Sequence, residues 1–132
     1  MSSQSINSFF ATMQDQEKIE MIGKVQANLD KLNVHLQATQ AEKAQLTDRL
    51  GKYQELVEDS NRINKDLEEL KKKMGLEAFG EAGLVPEQML MQVEKMQSLF
   101  SVVTVTNELA KNEKVLEEAE KLKKRYEALL EM

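Results

Sequence analysis

The chain has 132 residues, 31% of them charged, with four Phe, two Tyr, one Pro, no Trp and no Cys. So few aromatics cannot fill a compact interior of this size, and the Ala/Glu/Lys/Leu/Gln-rich remainder is the composition of long helices in a single domain. A net charge of −5, spread rather than blocked, disfavours nucleic acid as partner, and the lack of cysteine removes disulfides, thiolate catalysis and Cys-based metal sites together.

Residues 1–15 are a Ser/Gln/Asn-rich lead in which Ile6, Phe9, Phe10 and Met13 fall on one face of a short helix that Ser5 would cap. One reading is a docking helix carrying Phe9 and Phe10, the other a frayed extension of the helix that follows. Met1–Asn7 holds no basic residue and no long apolar run, so it does not read as a signal peptide. No stretch of the chain approaches the roughly 18 apolar residues that span a bilayer. The expectation is a protein without membrane insertion, cytoplasmic or else nuclear.

A first long helix is expected over 16–74. Ile22, Val25, Leu29, Leu32 and Leu36, then Leu46, Leu50, Tyr53 and Val57, recur at intervals of three and four. That spacing lays one narrow apolar stripe along a helix, too narrow and too long for a globular core, and so predicts a partner helix. Thr39 and Lys43 interrupt the stripe, and polar residues at such positions restrict register and partner choice. Beyond Tyr53 the apolar set slips to Leu56, Ser60, Ile63, Leu67, Leu70 and Met74. A slip of this kind ends one partnership or overwinds the pair locally. Gly51, just before it, marks a kink or a close backbone approach.

Lys71, Lys72 and Lys73 suit the negative end of the helix dipole, and Gly75 follows as a stop. Residues 75–85 read as a Gly-rich turn around Leu76 and Phe79, with room for one helical turn. Pro86, backed by Glu87, marks the start of a second helix over 86–131. Its expected seam is Met89, Val93, Met96, Phe100 and Val103, widened by Leu90, Leu99, Val102 and Val105. The run Leu99–Val105 is the most β-branched of the chain, but its flanks are helical and the helix reading prevails. The seam lapses at Asn107–Lys114 and resumes as Val115, Ala119, Leu122, Tyr126 and Leu129.

The expected fold is all-α: two long amphipathic helices forming an antiparallel helical hairpin or coiled coil, with a short N-terminal helix. Folding back at the turn pairs Leu67–Met74 with Met89–Met96 and brings Leu99–Val105 near Gly51–Ile63. The C-terminus then meets the first helix near Asp30, leaving the seam before Asp30 without an internal partner.

No residue set carries chemistry. The carboxylates are spaced along helix faces, the glycines have neither dinucleotide nor phosphate-loop spacing, and His35 flanks the seam without converging ligands. Catalytic, cofactor and metal sites are therefore expected to be absent, as is a small-molecule substrate. Lys121–Arg125 is basic, but neighbouring Glu117, Glu118, Glu120 and Glu127 dilute its field. Prefoldin-type chaperone subunits share the length and the two-helix plan, but residues 75–85 are too few to supply their β-hairpins. The functional expectation is a non-enzymatic scaffold subunit that packs against other coiled-coil subunits, in a heteromeric complex of the motor-adaptor, kinetochore or vesicle-tethering kind. The alternatives are a homo-oligomeric spacer and a chaperone or cargo-binding module. Partner contacts are expected at Ile22, Val25, Leu29, Leu32 and Leu36 in the overhang, and at Leu99, Phe100, Val102 and Val103.

Overall fold

The computed structural model describes residues 15–131. The described residues form three helices, α1 (Asp15–Met74, 60 residues), α2 (Leu76–Glu81) and α3 (Leu84–Leu130, 47 residues), and no strand. The fold is an all-α helical hairpin. The docking helix expected around Phe9 and Phe10 lies outside the described residues.

α1 starts with Asp15 and Glu17 in its first turn and ends with Lys71, Lys72 and Lys73 in its last, both favourable to the helix dipole. It passes through Gly51 as helix, and a Cβ placed there would meet nothing within 4 Å. Gly51 therefore does not interrupt the helix, and the close backbone approach expected there is not found. At the stop, Gly75 takes φ +88°, a left-handed conformation natural to glycine, and its N–H donates to the Lys71 carbonyl at 2.9 Å. The Gly75 carbonyl in turn accepts from the Phe79 N–H at 3.0 Å, so one residue closes α1 and opens α2. Gly83 (φ +73°) releases the chain from α2. α3 then begins at Leu84, two residues ahead of the expected start, which leaves Pro86 within the first turn, where its missing N–H is harmless.

Packing divides into two compact units. Unit 1 joins α1 up to Lys43 with α3 from Lys111, and unit 2 holds Ala44–Ala110. In unit 1, α1 turns inward Val25, Leu29, Leu36 and Thr39, all buried, with Leu32 and Lys43 half-buried in the same three–four rhythm. α3 answers with buried Asn112 and Ala119 and half-buried Leu116, Lys123, Tyr126 and Leu130. The register is defined by Asn112, whose Nδ2 donates to the Thr39 carbonyl at 3.1 Å, and an exposed ion pair between Lys43 and Glu113 at 3.8 Å is consistent with it. Stepping outward in opposite directions from that bond brings Ala119 level with Leu32 and Tyr126 level with Val25. The overhang expected before Asp30 is not observed at Val25 and Leu29, which are 6% and 7% exposed and covered by the chain's own α3.

In unit 2 the inward row of α1 continues without a slip. Leu46 is buried and Leu50, Tyr53 and Val57 half-buried; buried Ser60, then half-buried Asn64, Leu67 and Lys71, follow at the same intervals. The expected change of register past Tyr53 is therefore not taken: Leu56, Ile63, Leu70 and Met74 are exposed. On α3 the inward row is Leu84, Gln88, Met91, Lys95, Ser98, Val102, Val105 and Leu109, with Gln88 and Val105 the buried members. Gln88 Nε2 donates to a Glu68 carboxylate oxygen. Glu68 thus meets α3 at Gln88, seven residues closer to the turn than the expected pairing with Met89–Met96 allows. The reason lies in α2. Phe79 is fully buried (0% exposed) with the Lys71 ammonium 5.9 Å from its ring centroid, so α2 occupies the end of α1.

Candidate interaction surface

The two faces of α3 in unit 2 differ in the opposite sense from the one its composition suggests. The inward row includes Gln88, Lys95 and Ser98. The row expected to be the seam, Met89, Val93, Met96, Phe100 and Val103, faces solvent, with Phe100 75%, Met96 69% and Met89 62% exposed. At 100° per residue these five positions centre roughly 150° around α3 from the inward row. Leu90 and Leu99 border them and are also exposed. Contiguous apolar surface of this extent is uncommon on a chain with no partner and marks interaction sites.

The local sequence keeps this stripe helical despite its β-branched residues. Ser101, Thr104 and Thr106 donate their hydroxyls to the carbonyls of Gln97, Phe100 and Val102, at 3.1, 3.0 and 2.7 Å. Each hydroxyl is thus satisfied within the helix, by the back-bonding open to Ser and Thr in helix interiors. Beside the stripe, Leu99 and Val102 share an open cleft of about 360 Å³ with Gln54, Val57 and Glu58. This places Leu99 and Val102 beside the part of α1 that their sequence position suggested.

A second exposed strip in unit 2 runs along α1 as Leu56, Ile63 and Leu70, one residue before the inward Val57, Asn64 and Lys71. It stands on the flank away from the Leu99 cleft, whose α1 members are Gln54, Val57 and Glu58. In unit 1 a groove of about 590 Å³ is lined by Leu32, His35, Val115, Ala119, Leu122 and Arg125, among others. Lys121 on its rim pairs with Glu117 and Glu118 at 3.5 Å each, and those carboxylates, Glu118 foremost, hold its ammonium above the ordinary lysine range. The rim charges are thus mutually engaged and exposed, where ion pairs contribute little.

The residues singled out from sequence divide accordingly. Val25, Leu29 and Leu36 are buried inside unit 1 with Leu32 half-buried, and Ile22 remains partly exposed. In unit 2, Phe100 and Val103 belong to the solvent-facing stripe, Leu99 to its edge, and Val102 to the inward row. Met89, Val93 and Met96 were read as seam, and the structure adds them to the exposed set. The signal that could have found them is the parallel row of polar-and-apolar positions one residue earlier (Gln88, Lys95, Val102), which keeps the three–four rhythm through α3 while the apolar row lapses at Asn107.

Among the described residues no group of three His, Asp or Glu side chains is placed to hold a metal, and no helix is long and apolar enough to cross a membrane. No family model, no curated protein and no solved structure matches this chain. The structure itself defines the class: an all-α hairpin with an apolar row left outside.

Proposed function

We propose that this protein is a non-enzymatic scaffold subunit whose hairpin is complete in itself and whose outward helix faces pack, coiled-coil fashion, against neighbouring helices. One observation carries the reading. Five large apolar side chains stand in three–four spacing on the solvent side of α3, at the level where the hairpin's own seam accepts Gln88, Lys95 and Ser98. A helix that keeps its apolar row outside and polar residues inside is built for two seams, one within the chain and one beyond it. The Leu56–Ile63–Leu70 strip on the other flank gives a second place of attachment, as a piece that joins two neighbours requires. Partner contact accordingly moves from the covered Val25–Leu36 seam to Phe100, Val103 and their row, with Ile22 retained at the far end.

The test is co-purification of the tagged full-length chain from native extract, with the wild type compared against Phe100→Asp. A discrete set of stoichiometric proteins, more of the same chain included, retained by the wild type and lost by the variant is the expected result. A wild-type chain that is monomeric and retains nothing, or a retained set indifferent to Phe100→Asp, removes the scaffold reading.

A further inference from the structure

We propose that the outward row of α3 takes the same row of a second copy, antiparallel about Met96, to form a symmetric dimer of hairpins. The proposal rests on the scaffold reading above and names its first partner.

Three observations choose a copy over an unlike helix. The first is charge. Within the stripe and along both its borders, Met89, Leu90, Gln92, Val93, Met96, Gln97, and then Leu99, Phe100, Val103, Thr104 and Thr106, every residue is uncharged. Unlike helices are matched to one another by complementary charges beside the seam, and this seam has none to offer. Two like faces of a chain with net charge −5 repel unless the contact itself is neutral, as it is here.

The second is shape. Reversing the row about Met96 places Met89 opposite Val103, Val93 opposite Phe100 and Met96 opposite itself, so each large side chain but the central one meets a smaller one. This is the layer rule already followed inside unit 1, where the Asn112–Thr39 contact puts large Tyr126 level with Val25 and Ala119 level with Leu32. The row also ends symmetrically: one heptad step before Val93 falls on Pro86 in the first turn of α3, and one after Phe100 falls on Asn107. The bordering Thr104 and Thr106 hydroxyls are already bonded to Phe100 and Val102 carbonyls, so covering them strands no donor.

The third is area. Roughly 100 Å² from each of the seven exposed apolar residues gives about 1,400 Å² over two copies, within the range that specific complexes bury. Closed two-fold pairing is also the commonest form of self-assembly.

The absence of cysteine makes the register directly readable, because a single introduced thiol has no competitor. Full-length Met96→Cys places its thiols at the two-fold axis, within disulfide reach, whereas Met89→Cys holds its two copies roughly 20 Å apart along the axis. The expected results are a concentration-dependent dimer by analytical ultracentrifugation, rapid oxidation of Met96→Cys to a linked dimer, and none for Met89→Cys unless mixed with Val103→Cys. Phe100→Glu, with helicity checked by circular dichroism, weakens the dimer at least 100-fold. Phe9→Ser/Phe10→Ser leaves it intact; loss of the dimer there assigns the stripe's occupant to the lead segment and overturns the proposal. Linkage of Met89→Cys alone signifies a parallel pair and also overturns it. A wild type that stays monomeric at about 100 µM, where even weak specific pairs form, overturns the dimer. In that event retention of a different protein through Phe100 leaves the scaffold reading standing, and retention of none removes both.

Discussion

Within unit 2, the inward and outward rows of α3 are one or two residues apart in sequence and opposite in fate. Val105 on the inward row is 1% exposed; Phe100 on the outward row is 75% exposed. By composition the outward row is the better seam, since it is wholly apolar while the inward one spends positions on Gln88, Lys95 and Ser98. What chooses between them is the turn. Gly75 and Gly83 at positive φ, with Phe79 fully buried between them, fix the angle at which α3 leaves. Half-buried Leu67 and Leu84 on either side of the turn follow the same phase. Once the phase is set at one end, a helix carries it along its length, and polar residues further on are taken in with it. Apolar periodicity says that a face will be buried; local geometry says by what.

The contrast between the two rows depends most on the turn. Phe79→Ala empties the best-buried position of unit 2 and is expected to cost about 3–5 kcal/mol, measured by urea unfolding followed by circular dichroism. A cost near zero would mean that the turn does not set the phase. Gly75→Ala forces a Cβ into a conformation (φ +88°, ψ 154°) that is essentially reserved for glycine and is expected to destabilise by about 1–3 kcal/mol in the same assay. Since nothing lies within 4 Å of that Cβ, the loss reports backbone strain alone. Asn112→Leu sharpens the contrast from the inward side. The Asn112 Oδ1 is buried without a hydrogen-bond partner, so the apolar replacement should stabilise by about 1 kcal/mol while loosening the register its Nδ2 defines. Unchanged or lower stability would assign Asn112 a larger net contribution than its single bond suggests. Smallest is Gly51→Ala, an exposed mid-helix site with open space for a methyl group, expected to add up to about 1 kcal/mol. A loss there would point to a contact on that face that the isolated hairpin does not have.

Much of the fold was legible in the residues. The two long helices, the lysine–glycine stop at Gly75 and the fold-back follow from spacing and capping chemistry that act locally. The inward row from Val25 to Val57 was readable because there the apolar row and the buried row coincide. It ceased to be readable at Ser60 and Asn64, where α1 keeps its phase by burying polar residues and leaves Leu56, Ile63 and Leu70 outside. The same ambiguity misplaced the Met89–Val103 row of α3, while Val102 and Val105, part of the widened seam, do face inward. It also produced the expected overhang before Asp30: counting the pairing from a turn centred too late slid the C-terminal half of α3 away from Val25 and Leu29. The unbroken three–four row through Gln88, Lys95 and Val102 is the sequence signal for the other phase, but the wholly apolar row outweighs it as long as Phe79 reads as an ordinary loop aromatic.

The central claim, that the hairpin hides the Val105 row and presents the Phe100 row, is tested most directly by a matched pair of charge insertions. Val105→Asp and Phe100→Asp are compared by thermal unfolding at a dilution where the chain is monomeric. Val105→Asp should abolish the cooperative transition, and Phe100→Asp should leave the melting temperature near that of the wild type. Equal damage from both, or greater damage from Phe100→Asp, would contradict this assignment of inside and outside.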